Sequence, residues 1–278
     1  MNLPTRQLTF DGAYKTDPVF VEDGQAVAFS QQVDGFRMAL CKLRLAPDPA
    51  ERGEVEWLHP EAKNPELKPV FAADGSAYVY LQSLGNQDLR VIYRRVGEAA
   101  ESTVAGRGRQ ATLSADGRRV FYAEPKDGGQ QIFSCDPAGG DRQDLTRSAS
   151  YNGWPAVSAD GQWLAFGSSR DGDLELYVMP SSGGPARRIS HSPGRDVRPA
   201  WSPDGRQLAF TSSRSGALNL YVMAVDAGDA VPVTEGPEPS DFATWHPHRT
   251  QIAFVGQRAG KYDLYVIDLA ELAPGAAP

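Results

Sequence analysis

The sequence predicts an all-β fold: a six-bladed β-propeller with four antiparallel strands per blade. Residues 1–278 form one toroid, closed by an N-terminal strand that joins the last blade. Three observations predict it. An Asp-Gly pair recurs at a nearly constant period, a run apolar at consecutive positions follows each pair, and a Leu-Tyr-Val core recurs downstream of the run.

The pairs are Asp23-Gly24, Asp74-Gly75, Asp116-Gly117, Asp160-Gly161 and Asp204-Gly205, spaced by 51, 42, 44 and 44 residues. A sixth copy falls at His248-Arg249, where Trp245-His246-Pro247 replaces Trp201-Ser202-Pro203. A two-residue hairpin turn of the favoured hand needs positive φ. Glycine supplies this without steric cost, and aspartate tolerates it while bonding nearby backbone. Arg249 suits such a turn poorly, so a different turn is expected in the last copy.

The runs are Val27-Ala28-Phe29, Tyr78-Val79-Tyr80, Val120-Phe121-Tyr122, Leu164-Ala165-Phe166, Leu208-Ala209-Phe210 and Ile252-Ala253-Phe254. Consecutive apolar positions mark a strand covered on both faces, as every blade sandwiched between two neighbours is. The third strand recurs as Leu176-Tyr177-Val178, Leu220-Tyr221-Val222 and Leu264-Tyr265-Val266, and Ala186–Ser190 reads as a fourth. Four short strands per period of about 44 residues is one propeller blade. A helical solenoid is excluded by the Gly and Pro punctuation and by the lack of any 3.6-residue stripe.

The last copy stops after its third strand, and an Ala/Pro-rich tail, 270–278, follows. Arg6-Gln7-Leu8-Thr9 reads like Arg142-Gln143-Asp144-Leu145-Thr146 at the end of the third copy. Residues 5–9 are therefore expected to supply the outer strand of blade six and remove an open junction. The longer first repeat places an exposed excursion at Pro47–Gly53, either a tolerated loop or a partner-contact loop.

Gly 28 and Pro 21 agree with many turns, and the net charge of −7 with pI near 5.2 argues against nucleic acid as a main partner. Cys41 and Cys135 fall at similar strand positions of different repeats, so no bridge is expected. No apolar run reaches the roughly 18 residues of a membrane helix. Met1–Arg6 does not read as a secretory signal. The expected compartment is cytoplasmic if Met1 is native and periplasmic if a signal was removed. A monomer is expected.

Ser202-Pro203-Asp204-Gly205, Leu208–Arg214 and Leu220–Met223 together resemble the repeat of the TolB propeller. They are also similar to repeats in the propellers of tricorn-type proteases and of the prolyl oligopeptidase family. The resemblance implies a six-bladed toroid with a central channel and specifies function poorly. TolB family members add an N-terminal α/β domain and an export signal and work with a lipoprotein at the outer membrane; neither segment is read here. The peptidase relatives add an α/β-hydrolase domain, and no Gly-x-Ser-x-Gly elbow occurs.

In that family arrangement the first strand of each blade lines the channel. Counting back from each turn places Asp17, Lys68, Gln110, Trp154, Arg198 and Phe242 on one ring. Thr16, Leu67, Arg109, Gly153, Val197 and Asp241 precede them, and Tyr14, Tyr151, Arg195 and Asp196 lie further out. Mixed charge with aromatics suits a peptide or polar ligand; the plainer reading is that these groups pair with one another and solvate the mouth. Further candidates are weaker. His246 and His248 could begin a metal site, but zinc wants three or four ligands. Asp171, Asp173 and Glu175 read as a solvated turn. Arg170, Arg214 and Arg258 recur at matched positions and are expected to bridge to the adjacent blade. Trp201 and Trp245 are expected to pack blade against blade. No metal, cofactor or catalytic nucleophile is expected. The expected function is a non-catalytic scaffold binding a protein or peptide through one face and the channel mouth. The alternatives are a small-molecule or metal-dependent enzyme with its site in the channel, or a gating fragment of a larger peptidase-like assembly.

Overall fold

The computed structural model describes residues 3–272, except 36, 47, 49, 50, 86, 87, 127 and 228. Pro47, Pro49 and Ala50 of the blade-one excursion, and the tail from 273, lie outside the described residues.

Six four-stranded antiparallel sheets form; in five of them the strands run outward in sequence order, and in the sixth the N-terminal strand Thr5–Gln7 is the outermost. The first strands are Lys15–Val21, Glu66–Phe71, Arg109–Leu113, Asn152–Val157, Asp196–Trp201 and Ser240–Trp245. Each packs against the first strand of the next blade, and blade six packs against blade one, so these strands surround an axis.

The hydrophobic cores sit between blades, which explains the consecutive apolar positions. In blade four, Leu164 and Phe166 join Phe121, Ile132 and Leu145 of blade three. Ala165 between them points the other way, to Leu208, Phe210 and Met223 of blade five. Strand alternation thus feeds two cores at once. Phe29, Phe166, Phe210 and Phe254 are fully buried, each stabilising the fold by about 1.5–3 kcal/mol. Trp201 and Trp245 stitch neighbouring blades: their Nε1 groups donate to the carbonyls of Ala156 (2.9 Å) and Ala200 (3.1 Å) in the preceding blade. Cys41 and Cys135 are free and buried, and burial pushes their thiols up to about 12 and about 11.

The Asp-Gly turn differs from expectation in four of its five copies. Gly75, Gly117, Gly161 and Gly205 have positive φ, but their aspartates do not; only in blade one do Glu22, Asp23 and Gly24 all have it. The aspartate instead organises the turn through its side chain. Asp116 Oδ1 accepts from Ser114 Oγ (2.6 Å) and the Arg118 N–H (3.0 Å), while Ser114 Oγ accepts from the Arg119 N–H (2.9 Å). Ser158-Asp160 and Ser202-Asp204 repeat the pattern. In blade six His246 takes the serine's place, and its Nδ1 accepts from the N–H groups of His248 (3.0 Å) and Arg249 (3.1 Å). The last turn is different, as Arg249 led us to expect.

Thr5–Gln7 pairs antiparallel with the third strand of blade six, Arg6 opposite Val266. The Leu8 N–H continues the ladder to Leu264 (2.7 Å). Asp263, nearly buried, accepts from Thr9 Oγ1 (2.8 Å), Gln7 Nε2 (3.1 Å) and the Gly12 N–H (3.3 Å). The fully buried Lys15 ammonium lies 3.7 Å from the same carboxylate, pairs with Asp11 and donates to the Ala13 carbonyl (3.1 Å). The N-terminal segment is thus fastened to the last blade along both its backbone and its polar side chains.

Candidate functional site

The pairing of first and second strands slips once in every blade. The breaks lie between Thr16 and Val19, Leu67 and Val70, Arg109 and Thr112, Gly153 and Ala156, Val197 and Ala200, and Asp241 and Thr244. Inside these six breaks sit Asp17, Lys68, Gln110, Trp154, Arg198 and Phe242, with φ of 51°, 54°, 52°, 52°, 55° and 60°. A residue bearing a Cβ in this left-handed region costs roughly 1–2 kcal/mol. Four of the six precede proline, which disfavours anything but extended backbone still further. A bulge re-aims a side chain, and here all six bulges fall on the predicted inner ring.

Asp17, Lys68, Trp154, Arg198 and Phe242 line a central cavity of about 170 Å³. Arg198 is its organising group. Its guanidinium lies 4.5 Å from the Phe242 ring centroid and 5.6 Å from that of Trp154, and Nη1 is 3.3 Å from Asp241 Oδ2. Asp241 also accepts from Thr211 Oγ1 (2.7 Å) and the Phe242 N–H (2.8 Å). Burial still holds the Asp241 carboxyl above the usual range, against the lowering influence of Arg198 and these hydrogen bonds. Lys68 lines the cavity and is half-buried. Burial pushes its ammonium below the usual lysine value, Asp17 opposes that shift, and Arg198 adds to it. The Lys68 N–H donates to Ser30 Oγ of blade one (2.8 Å).

Gln110 turns toward blade four. Its Nε2 donates to Tyr151 Oη (3.0 Å), its Oε1 accepts from the Trp154 N–H (2.9 Å), and Gln130 Nε2 donates to that same oxygen (3.2 Å). Tyr151 and Trp154 have ring centroids 5.3 Å apart, which extends the aromatic surface. Tyr14 is 41% exposed and edge-on to Tyr262 at 5.1 Å. Burial, then the charges of Asp17 and Asp241, raise its phenol, which places it beside the ring. Arg109 and Arg195 are exposed. Asp196 is fully buried, with Oδ2 accepting from Arg214 (2.7 Å) and Oδ1 without a hydrogen-bond partner among the described residues. The structure therefore gathers the six ring residues with Tyr14, Tyr151 and Asp241, while Asp196 belongs to the wall behind them. Sequence reasoning missed Gln130, Thr211 and Tyr262, which support the ring from second and third strands and carry no repeat signature.

The weaker candidates have structural partners. Arg170, Arg214 and Arg258 bond within their own blades, not the adjacent ones: to Asn152 (3.0 Å), Asp196 (2.7 Å) and Ser240 (3.3 Å) of the first strands. Glu175 is buried against Arg188 (2.7 Å), and Asp171 accepts from the Tyr177 phenol. His248 pairs with Asp23 across the closure between blades six and one. No three His, Cys, Asp or Glu groups among the described residues cluster as metal ligands would, and no helix among them is long and apolar enough to cross a membrane.

A family model described as the TolB beta propeller domain matches residues 110–271. Solved structures with similar folds include one from Agrobacterium tumefaciens described as TolB, 23% identical with TM-score 0.63, covering 75% of this chain and 74% of that one. TolB from Acinetobacter baumannii is 16% identical with TM-score 0.64, covering 89% of this chain and 65% of its own length. An oligogalacturonate lyase from Vibrio parahaemolyticus is 14% identical with TM-score 0.63, covering 97% and 94%. These likenesses concern the fold. No curated protein matches this chain.

Proposed function

This chain belongs to the TolB beta-propeller family, and on that premise we propose that it is a non-catalytic scaffold whose channel mouth binds a peptide segment of a partner protein. One observation carries the reading: at all six matched positions a side-chain-bearing residue occupies a backbone conformation that glycine would adopt without strain. Strain of this kind persists where the side chain is needed. The needed set is Trp154, Arg198 and Phe242 stacked together, with Asp17 and Lys68 opposite signs on the same rim. Tryptophan, tyrosine and arginine dominate binding hot spots. A volume of about 170 Å³ is below the roughly 300–1,000 Å³ of small-molecule pockets. It admits one side chain of a peptide whose remainder lies on Tyr14, Tyr151 and Trp154.

The test is affinity capture with the immobilised chain, comparing wild type, a Trp154→Ala/Arg198→Ala double variant and a Trp163→Ala control. Trp163 is 44% exposed in a second strand, away from the ring. The expected result is a partner held by wild type and control and lost by the double variant. Retention by the double variant, with its fold intact by circular dichroism, overturns the proposal.

A further inference from the structure

The repeats serve as one another's control. At the first position of the apolar run, five blades carry an aliphatic residue: Val27, Val120, Leu164, Leu208 and Ile252. Blade two carries Tyr78. Its phenol lies 2.6 Å from His59 Nε2, and His59 Nδ1 lies 2.7 Å from Glu66 Oε2. Both partners are buried, with side chains 7% and 3% exposed. A carboxylate only accepts, so Nδ1 carries a proton toward Glu66, and in the neutral imidazole Nε2 accepts from the phenol. Tyr78 is thereby fixed, with its ring stacked on Phe71 at 4.8 Å and 20°.

These two rings form the floor of a cleft of about 740 Å³ between blades one and two. Val21, Leu58 and Val96 extend its apolar lining, and Val96 is 53% exposed. The corresponding cleft between blades three and four, about 480 Å³, is walled by groups such as Ser114, Asp116, Arg119 and Ser134. The cleft opens beside the Asp-Gly turns, where the first strands end. The channel mouth lies where those strands begin, so the two sites occupy opposite faces.

The rim of the cleft is acidic: Glu22, Asp23, Asp74 and Glu98 face two cations, Lys42 and Arg94. Lys42 is already paired with Glu22 and with Glu56 (2.6 Å). Arg94 lies 3.5 Å from Glu101 and donates to the Glu98 carbonyl (2.8 Å). Asp74 and Glu98 are exposed and have no cationic partner among the described residues. We propose that this cleft is a second binding site, taking a peptide segment that sets a bulky apolar side chain beside lysine or arginine. The apolar side chain lies on Phe71 and Tyr78, and the cation meets Asp74 and Glu98.

Amide NMR titration of the full chain tests it, using acetyl-Lys-Leu-Trp-Lys-amide and its charge-reversed counterpart acetyl-Glu-Leu-Trp-Glu-amide as probes. The basic peptide is expected to shift resonances of residues 21–23, 73–75 and 96–99. It should bind at least about fivefold more tightly than the acidic one, a preference that falls with added salt. An Asp74→Asn/Glu98→Gln variant should weaken it about three- to tenfold. Both side chains are on the surface, and asparagine can still accept the Ser76 N–H. Trp154→Ala/Arg198→Ala should leave this binding unchanged, which separates the proposal from the channel reading. Equal binding of the two peptides, shifts confined to the channel residues, or no shift at millimolar probe each overturns it.

Discussion

The backbone strain at the channel ring can be isolated at Lys68. Its side chain makes no hydrogen bond among the described residues, and the contact from its backbone N–H to Ser30 survives any non-proline substitution. Lys68→Ala and Lys68→Gly therefore remove the same side chain and differ in one methyl group. In an ordinary strand, glycine is the worse choice by roughly 0.5–1 kcal/mol, because it loses more conformational freedom on folding. At φ of 54° the alanine Cβ meets the left-handed penalty of roughly 1–2 kcal/mol, which glycine escapes. The difference favours glycine by about 0.5–1 kcal/mol, the reverse of the usual order. Unfolding entropy is about 2.1 cal/mol/K per residue, so a chain of 278 residues shifts its Tm by about 2 °C per kcal/mol. Calorimetry should thus place Lys68→Gly about 1–2 °C above Lys68→Ala. The same pair at Val55, exposed on the outer strand of blade one and free of positive φ, should show the opposite order. If Lys68→Ala melts at or above Lys68→Gly, the six bulges hold no strain and the argument from strain to function collapses.

Two further outcomes follow from the closure and from the last turn. Leu8 is packed with Val27, Phe29 and Leu264 across the junction, so Leu8→Ala should cost about 2–5 kcal/mol and lower the Tm by about 4–10 °C. Deleting residues 1–10 should cost more, since Asp263 also loses Thr9 and Gln7 and keeps only the Gly12 N–H and Lys15; an unchanged Tm would sink the closure. Burial, then the charges of Arg249 and His248, hold the His246 imidazole below the usual value. The unfolded chain therefore takes up that proton first, and stability should decline as pH falls below about 6.5. His246→Ser, which installs the residue of the other turns, should flatten urea midpoints between pH 8 and 5. Hydrogen bonds from Ser114 and Ser158, then from backbone N–H groups, depress Asp116 and Asp160, whose contribution is lost only below about pH 4. Superimposable pH profiles for wild type and His246→Ser would refute the assignment.

The architecture was legible because each blade needs the same three things: a turn, a strand covered on both sides, and a neighbour. Asp-Gly marks the turn, and Leu164-Ala165-Phe166 shows the double coverage directly, since its outer members and its middle residue enter different cores. Counting back from the turn then placed Trp154, Arg198 and Phe242 on one ring, because the turn follows the ring residue at the same offset in every blade. The bulge that holds this ring was not legible. Left-handed φ is announced in sequence by glycine, asparagine or aspartate, and of the six positions only Asp17 is one of these. Four sit before proline, where the opposite conformation is expected.

The turn chemistry was misread for a related reason. Asp-Gly in isolation signals two residues at positive φ, whereas in blades two to five the aspartate side chain accepts the N–H two residues on and the left-handed step falls to glycine alone. Ala72 replaces the serine in blade two and the turn survives because Asp74 still accepts the Ser76 N–H, whereas His246 in blade six, its ring taking over as acceptor, was the sequence's own sign of a changed turn. Tyr78 is the same kind of sign. Read as a member of an apolar run it is unremarkable, since tyrosine is a good core residue. Read against Val27, Val120, Leu164, Leu208 and Ile252, it is a phenol where the fold asks only for an aliphatic group. That phenol brings a buried His59 and Glu66 with it. In a repeat protein, fold requirements are sampled once per blade. A residue that departs from its own repeat while recruiting buried polar partners answers to something other than the fold.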